Sequence, residues 1–461
     1  MQAAVAGEPA SGRLSRRTKL SYGVGDTGLS LTSTILGAYF AIFLTDVVGI
    51  TPGIAAAAIF IGRSWDYIND PIIGHISDRT RSHWGRRRPF ILFGSVPFAL
   101  SFMLLWWRPP LENQIVLAAY YALAYIIFDA AATFIYMPYY ALTPDLTPDY
   151  DERTSLTTYR MFFSILASLI AFTIPLTIVG GFTPDHASRV MGMGVLFAII
   201  SMIPMLFVFF GTKEPNAYQS LAQPGLRESI KAAFHNRPFV FSAGIFLLTW
   251  VSVTILQSTL LYFIKYIVQL EAQSDVIMGT IFITAILALP LWQYASKRWS
   301  KERAYVMGIA FWAVVQLVLV TLHAGVAFRT VLVLGMMAGI GVGAAHVLPW
   351  SILPDAVEWD EWKTGERHEG MFYSLVTLSQ KIASSVALPL VLLVLQFTGY
   401  TPNAAVQPPS AMLGIRIVVG PIPAVLLCLG ILFALLYPLS RERHADIRRE
   451  LEARHQAPPG P

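Results

Sequence analysis

The sequence predicts an all-α polytopic membrane protein, with twelve transmembrane helices arranged as two six-helix bundles. Three observations carry that expectation: a charge-poor composition, the length and number of apolar runs, and the alternation of basic connections. Of 461 residues, 55% are hydrophobic and 13% charged, about half the charge of a soluble domain, and mean hydropathy is +0.56. A bilayer core of ~30 Å needs about 20 apolar residues per helix. Such runs recur at 19–48, 51–77, 89–107, 115–145, 155–181, 190–212, 238–267, 275–297, 303–323, 327–354, 369–397 and 411–438.

The first span is preceded by "GRLSRRTK" and followed by the bare "ITPG". The second leads into "DRTRSHWGRRRP", the third into "RPPLENQ". "SKRWSKERAY" follows the eighth, "TGYTPNAAVQPPS" the eleventh, and the chain closes on "SRERHADIRRELEARH". Lys and Arg accumulate on the cytoplasmic side, so both termini are expected inside the plasma (cell inner) membrane. The formal charge of +5 then reads as topology and excludes nucleic acid as a partner, because the basic residues flank apolar spans. The first span is too long for a signal peptide and stays as a helix. Cys428 stands alone, which excludes a disulfide and a cysteine metal site. The expected organisation is a disordered cytoplasmic tail (1–18), a first bundle (19–212), a cytoplasmic linker (213–237), a second bundle (238–440) and a disordered cytoplasmic tail (441–461). No HExxH, nucleophile elbow or phosphate-binding glycine loop occurs, so no enzyme and no cofactor are expected. A monomer is.

The two halves echo each other. "MPYYALTPDLTPDYDERTSLTTYRMFFS" follows the fourth span and "LPWSILPDAVEWDEWKTGERHEGMFYSL" the tenth. Both run from proline and an aromatic, through Pro-Asp and an acidic-aromatic loop with Arg, to Met-Phe. Two parallel six-helix repeats place a substrate site between them near the midplane.

Charge at the centre of a membrane helix costs about 2.5–3.5 kcal/mol, so polar groups inside spans ask for compensation or function. "RSWDYINDPIIG" (63–74) puts Asp66 and Asp70 four residues apart on one helical face, with Asn69 between. Asp26 in the first span falls at about the depth of Asp70. Hard cations take oxygen ligands, and carboxylates on adjacent helices at one depth supply them. The competing reading neutralises Asp66 with Arg63, one turn away, and leaves Asp70 as a packing group; Arg63 can balance only one of three carboxylates, which favours the cation site. In the fourth span Asp129, Thr133, Tyr136 and Tyr140 share one stripe, an aromatic and carboxylate mixture suited to sugar hydroxyls. Lys381 in the eleventh span lies near mid-depth, and His346 and Trp350 in the tenth are four apart. Two roles stand open for Lys381: pairing with Asp129 at the substrate, or with Asp26 or Asp66 in the ion circuit. The loop "DAVEWDEWKTGERHEG", which begins at Asp355, faces "DRTRSHWGRRR" and "DERTS" at one surface. Ion pairs there, from Asp78, Arg79, Arg86, Arg87, Arg153 and Asp355, would hold a cytoplasmic gate shut in one state.

"GHISDRTRSHWGRRRP" resembles the loop signature of the major facilitator superfamily, lengthened between Arg79 and Gly85. Together with "KLSYGVGD", "LTDVVGI", "RSWDYINDPIIG", "GRRRPFIL", "DERTSLTTYR" and "EGMFYSL", it resembles the melibiose-permease-like glycoside–pentoside–hexuronide:cation symporter family, from residue 19 to about 397. The resemblance implies a major facilitator fold, alternating access, and Na+ or H+ as the coupling cation. It implies a cation site at Asp66, Asn69, Asp70 and Thr133, and a substrate site that includes Lys381 and Arg160. Two departures matter. The family's galactoside-binding aspartates fall here on Ser30 and Tyr136, and Arg160 lies one position off the melibiose permease pattern while suiting the wider family's spacing. The substrate set then comprises Asp26, Ser30, Asp129, Tyr136, Tyr140, Arg160, His346, Trp350 and Lys381. "LPWSILPD" and "PYYALTPD" also resemble the sodium-dependent lysophospholipid symporters. The expected activity is cation-coupled symport of a small glycoside-like solute, with lysophospholipid symport as the alternative.

Overall fold

A computed structural model describes residues 14–147, 150–214, 233–365, 369–404 and 406–456. Among them every regular element is helical. Eleven helices are long and apolar enough to cross a membrane. The second span is the twelfth, interrupted at Trp65 into Pro52–Ser64 and Asp66–Arg79. The others in order are Arg16–Val48, Arg88–Trp106, Gln114–Leu146, Tyr150–Val179, Ala187–Gly211, Arg237–Val268, Ser274–Arg298, Lys301–Leu319, Phe328–Thr364, Glu369–Phe397 and Pro409–Leu435. Most of the expected linker (213–237) lies outside the described residues.

The repeat read from the loops extends to backbone geometry. Spans 1 and 7 both finish in a π-helical turn, Phe43–Val48 and Phe263–Val268. Each turn is closed by a left-handed residue, Gly49 (φ 87°) and Gln269 (φ 59°), whose N–H returns to the carbonyl of Leu44 or Ile264. Glycine adopts that conformation without cost; glutamine pays roughly 1–2 kcal/mol. Close packing inside the second half uses the "GIGVG" run of span 10. A Cβ on Gly339 would meet the Ile281 carbonyl at 2.4 Å and one on Gly343 the Ala285 carbonyl at 2.7 Å, so these positions let spans 8 and 10 touch backbone to backbone.

Span 1 meets span 7, span 5 meets span 8, and the Pro52–Ser64 piece of span 2 meets span 11. These contacts gather towards the end away from the termini, here called the distal end. Gly53 N–H donates to Gln396 Oε1 at 3.0 Å, Phe172 stacks on Phe282 at 5.4 Å, and Thr45 Oγ1 meets the Tyr262 hydroxyl at 2.8 Å. The Asp66–Arg79 piece packs instead on span 4 of its own half. Among the described residues the halves therefore close distally and part towards the termini.

Where they are described, at 14–18 and 441–456, the tails are largely helical and not disordered as expected. The first helix begins at Arg16, and Arg441–Gln456 is a helix whose Ile447 and Leu451 are buried with Leu439 against Trp359, Trp362 and Tyr437. The charge-rich composition hid that narrow apolar seam. His444 Nε2 also meets Glu358 at 2.7 Å.

Candidate functional site

The break at Trp65 makes Asp66 the first residue of a new helix and puts Asp70 one turn in. Across the seam, Lys381 of span 11 donates to Asp66 Oδ1 at 2.8 Å and to Asp70 Oδ2 at 2.5 Å. Thr133 of span 4 donates at 3.4 Å to Asp66 and 3.3 Å to Asp70. Asn69 is buried beside them, and its Nδ2 has no hydrogen-bond partner. Arg63 does not neutralise Asp66: it stands over the Tyr125 ring, 5.8 Å from the centroid. Of the partners open for Lys381, the structure has Asp66, joined by Asp70. Asp129 lies close enough to Asp66, Lys381, Arg63 and Asp70 for their charges to act on it, yet its Oδ2 is buried without a hydrogen-bond partner.

Asp26 does not join this group. It accepts from the Tyr140 hydroxyl at 2.8 Å and from Ser30 Oγ at 3.5 Å. Ser30 also meets Ser164 at 2.5 Å. The Arg160 guanidinium sits over the Tyr140 ring at 4.8 Å, its Nε buried and without a partner. Asp26, Tyr140 and Arg160 thus form a second charged cluster inside the first half. The Tyr136 hydroxyl is buried next to it, 2.7 Å from where a Cβ on Gly28 would stand, and is unpartnered. In the second half His346 Nδ1 pairs with the Val342 carbonyl at 2.9 Å, satisfied by its own helix, and its ring flanks Trp250. Trp350 packs on Phe246 and faces Tyr373.

At the terminal end, among the described residues, the expected gate residues have these partners inside their own halves. Arg86 and Arg87 converge on Asp145, at 3.0 and 2.5 Å. Glu214 accepts the backbone N–H groups of Arg86, Arg87 and Arg88, capping span 3 from across the bundle. Asp355 pairs with Lys301 and, at 3.5 Å, with His444. Arg153 Nε donates to the Thr147 carbonyl at 2.9 Å, and Arg79 is exposed. The side chain of Asp78, with residues 366–368 of the facing loop, lies outside the described residues.

The charged group that sequence reasoning passed over is at the distal end. Asp46, in the π-turn of span 1, is 1% exposed. It accepts from Lys265 Nζ at 2.8 Å, from the Tyr266 hydroxyl and, at 2.5 Å, from the Tyr400 hydroxyl, while Asn403 Nδ2 donates to its backbone carbonyl at 2.6 Å. Lys265 also donates to the Phe182 carbonyl at 3.0 Å. The signal lay in the repeat: "FLTDVV" and "FIKYIV" occupy matching span ends and carry opposite charges.

The sequence profile of the family described as MFS/sugar transport protein matches residues 21–441. An uncharacterized symporter of Synechocystis is 34% identical, covering 95% of this chain and 97% of that one. A sodium-dependent lysophosphatidylcholine symporter 1-A of Danio rerio is 30% identical over 94% of this chain and 88% of its own. Among solved structures, the nucleoside transporter NupG aligns with a TM-score of 0.60 at 14% identity, covering 91% of this chain and 98% of that one. A bacterial homolog of the human lysosomal transporter Spinster, in an inward-facing and unoccupied conformation, aligns at 0.65 and 11% over 91% and 95%. At such identities these two support the fold alone.

Proposed function

Because the chain belongs to the MFS/sugar transport protein family and is a symporter, we propose that it couples the movement of its solute to Na+ bound between Asp66, Asp70 and Thr133. The observation that carries this reading is the cross-half ion group itself. Two carboxylates and a hydroxyl present oxygens to one point, and that point is held by Lys381 of the opposite repeat. A cation there exchanges one positive charge for another without a change in net charge, and a change of ligand at a seam between repeats is what alternating access requires. With both termini cytoplasmic, the parted terminal end makes this an inward-facing arrangement.

For the solute we infer a lysophospholipid. Arg160, buried in the first half with an unpartnered Nε, suits a phosphate oxygen. The galactoside aspartates of the resembled family are Ser30 and Tyr136 here, and the Danio rerio relative carries lysophosphatidylcholine in its name. The unpartnered carboxylate oxygen of Asp129 and the tyrosines of span 4 favour the second reading, a glycoside whose hydroxyls they would hold. Counterflow in proteoliposomes with labelled lysophosphatidylcholine and a glycoside panel separates the two. Asp70→Asn tests the coupling in the same vesicles: Na+-driven accumulation should vanish while downhill exchange survives. Accumulation against a gradient by that variant would remove Asp70 from the ion site.

A further inference from the structure

Three carboxylates, Asp66, Asp70 and Asp129, share the electrostatic neighbourhood of two cations, Lys381 and Arg63. Lys381 spends its ammonium on Asp66 and Asp70, and Arg63 lies over Tyr125. Asp129 is therefore the carboxylate whose Oδ2 is buried without a partner. It stands four residues before Thr133 on span 4, on the same face and about 6 Å along the axis. Thr133 itself reaches both Asp66 and Asp70, so Asp129 is one helical turn from the place where the ammonium now rests. A lysine is a compact charge on a flexible four-carbon stem, and a swing of one turn is within its reach.

We propose that Asp129 is the second berth of Lys381: when the coupling cation takes Asp66 and Asp70, the ammonium moves one turn along span 4 to Asp129 Oδ2. This rests on the cation-site reading above. Lys381 is then a tethered competitor of the ion, and Asp129 a positioning residue that sets how readily the competitor yields. The cost of moving a buried ammonium away from its carboxylates is offset only where another carboxylate receives it. Without Asp129 the incoming cation must leave Lys381 buried and unpaired, so apparent ion affinity falls. Without Lys381 the ion meets no competitor, and Asp129 loses its influence.

The test is a Na+ titration of the purified full-length chain in nanodiscs, at constant ionic strength with choline chloride, read by thermal shift and tryptophan fluorescence. Asp129→Asn should raise the half-saturating Na+ concentration at least about tenfold, and Asp129→Glu should restore it. Lys381→Gln should lower it, and adding Asp129→Asn to that background should change it by less than about twofold. A purely structural role for Asp129 would weaken binding equally in both backgrounds, and that result overturns the proposal, as does a wild-type value in Asp129→Asn. Asp129→Ser replaces Asn if melting without Na+ reports misfolding. Asp70→Asn separates the two readings. If it abolishes the Na+ response while Asp129→Asn is neutral, the second berth alone is wrong; if it still binds Na+, the ion site is wrong as well.

Discussion

The two ends of the molecule are tied by different means. At the distal end one carboxylate, Asp46, holds both halves: its donors come from span 7 and from the connection after span 11, and the same lysine reaches back to Phe182 of the first half. At the terminal end the ion pairs between described residues stay within halves, Arg86 and Arg87 with Asp145 on one side, Lys301 and His444 with Asp355 on the other. The difference assigns different tasks. A latch that spans the seam must break for the distal side to open, whereas a brace inside one bundle keeps that bundle rigid while it rocks against the other. Lys381 stands between the two ends and belongs to the first kind.

The largest effect should come from Asp46→Asn. It leaves the Lys265 ammonium facing an amide, and removing one partner of a buried pair costs about 3–5 kcal/mol. Initial transport rates in vesicles should fall by about two orders of magnitude, with distal cysteine accessibility rising in step. Tyr400→Phe, which removes one hydrogen bond to the same carboxylate, should cost about 1.5–3 kcal/mol. A silent Asp46→Asn would mean that the distal end is closed by packing alone.

Next in size are the terminal braces. Arg86→Ala and Arg87→Ala should slow turnover about tenfold, a change of ~1.4 kcal/mol in barrier, with substrate binding affinity nearly unchanged. A large loss of affinity at unchanged turnover would move these arginines from brace to binding site. Glu214→Gln should be milder still, because three N–H groups lose a charged acceptor and keep a neutral one. Loss of a helix cap costs about 0.5–2 kcal/mol, to be read as a lower melting temperature with unchanged ion affinity.

The smallest effect concerns the terminal helix. The hydrogen bond to Glu358 holds the His444 imidazole above its ordinary pKa, with Asp355 adding to the pull. A raised folded-state value means the contribution is complete below the ordinary histidine value of about 6.5 and fades as pH rises through the folded value. Amide exchange in 441–456 should therefore speed up with rising pH beyond the intrinsic trend, and His444→Gln should flatten the dependence.

How much of this was legible in the sequence divides along physical lines. Hydropathy is local, so all twelve spans were readable to within a turn or so at most ends. Helical spacing put Asp66, Asn69 and Asp70 together, and the resemblance added Thr133. The partner of Lys381 was open, because depth along a helix does not fix which neighbour across a seam is nearest. The break at Trp65 left no trace, since the residues around it have unremarkable propensities. Asp46 was missed because a carboxylate at a span end reads as a topological flank; its partners in the other half lie 219 to 357 residues away. The fold of 441–456 was missed because two buried aliphatics in a run of charges carry little apolar signal.

Asp46 latches the distal end while the terminal end stands parted. Paired spin labels test it directly in a Cys428→Ser background, with one pair on exposed distal residues, Glu112→Cys and Val406→Cys, and one on exposed terminal residues, Arg79→Cys and Lys363→Cys. In the otherwise native chain the distal pair should give one narrow, short distance. Adding Asp46→Asn should bring in a longer distal population and, in the same proportion, a shorter terminal one. A distal distance that stays short and single in Asp46→Asn would contradict the latch, and so would two ends that lengthen together.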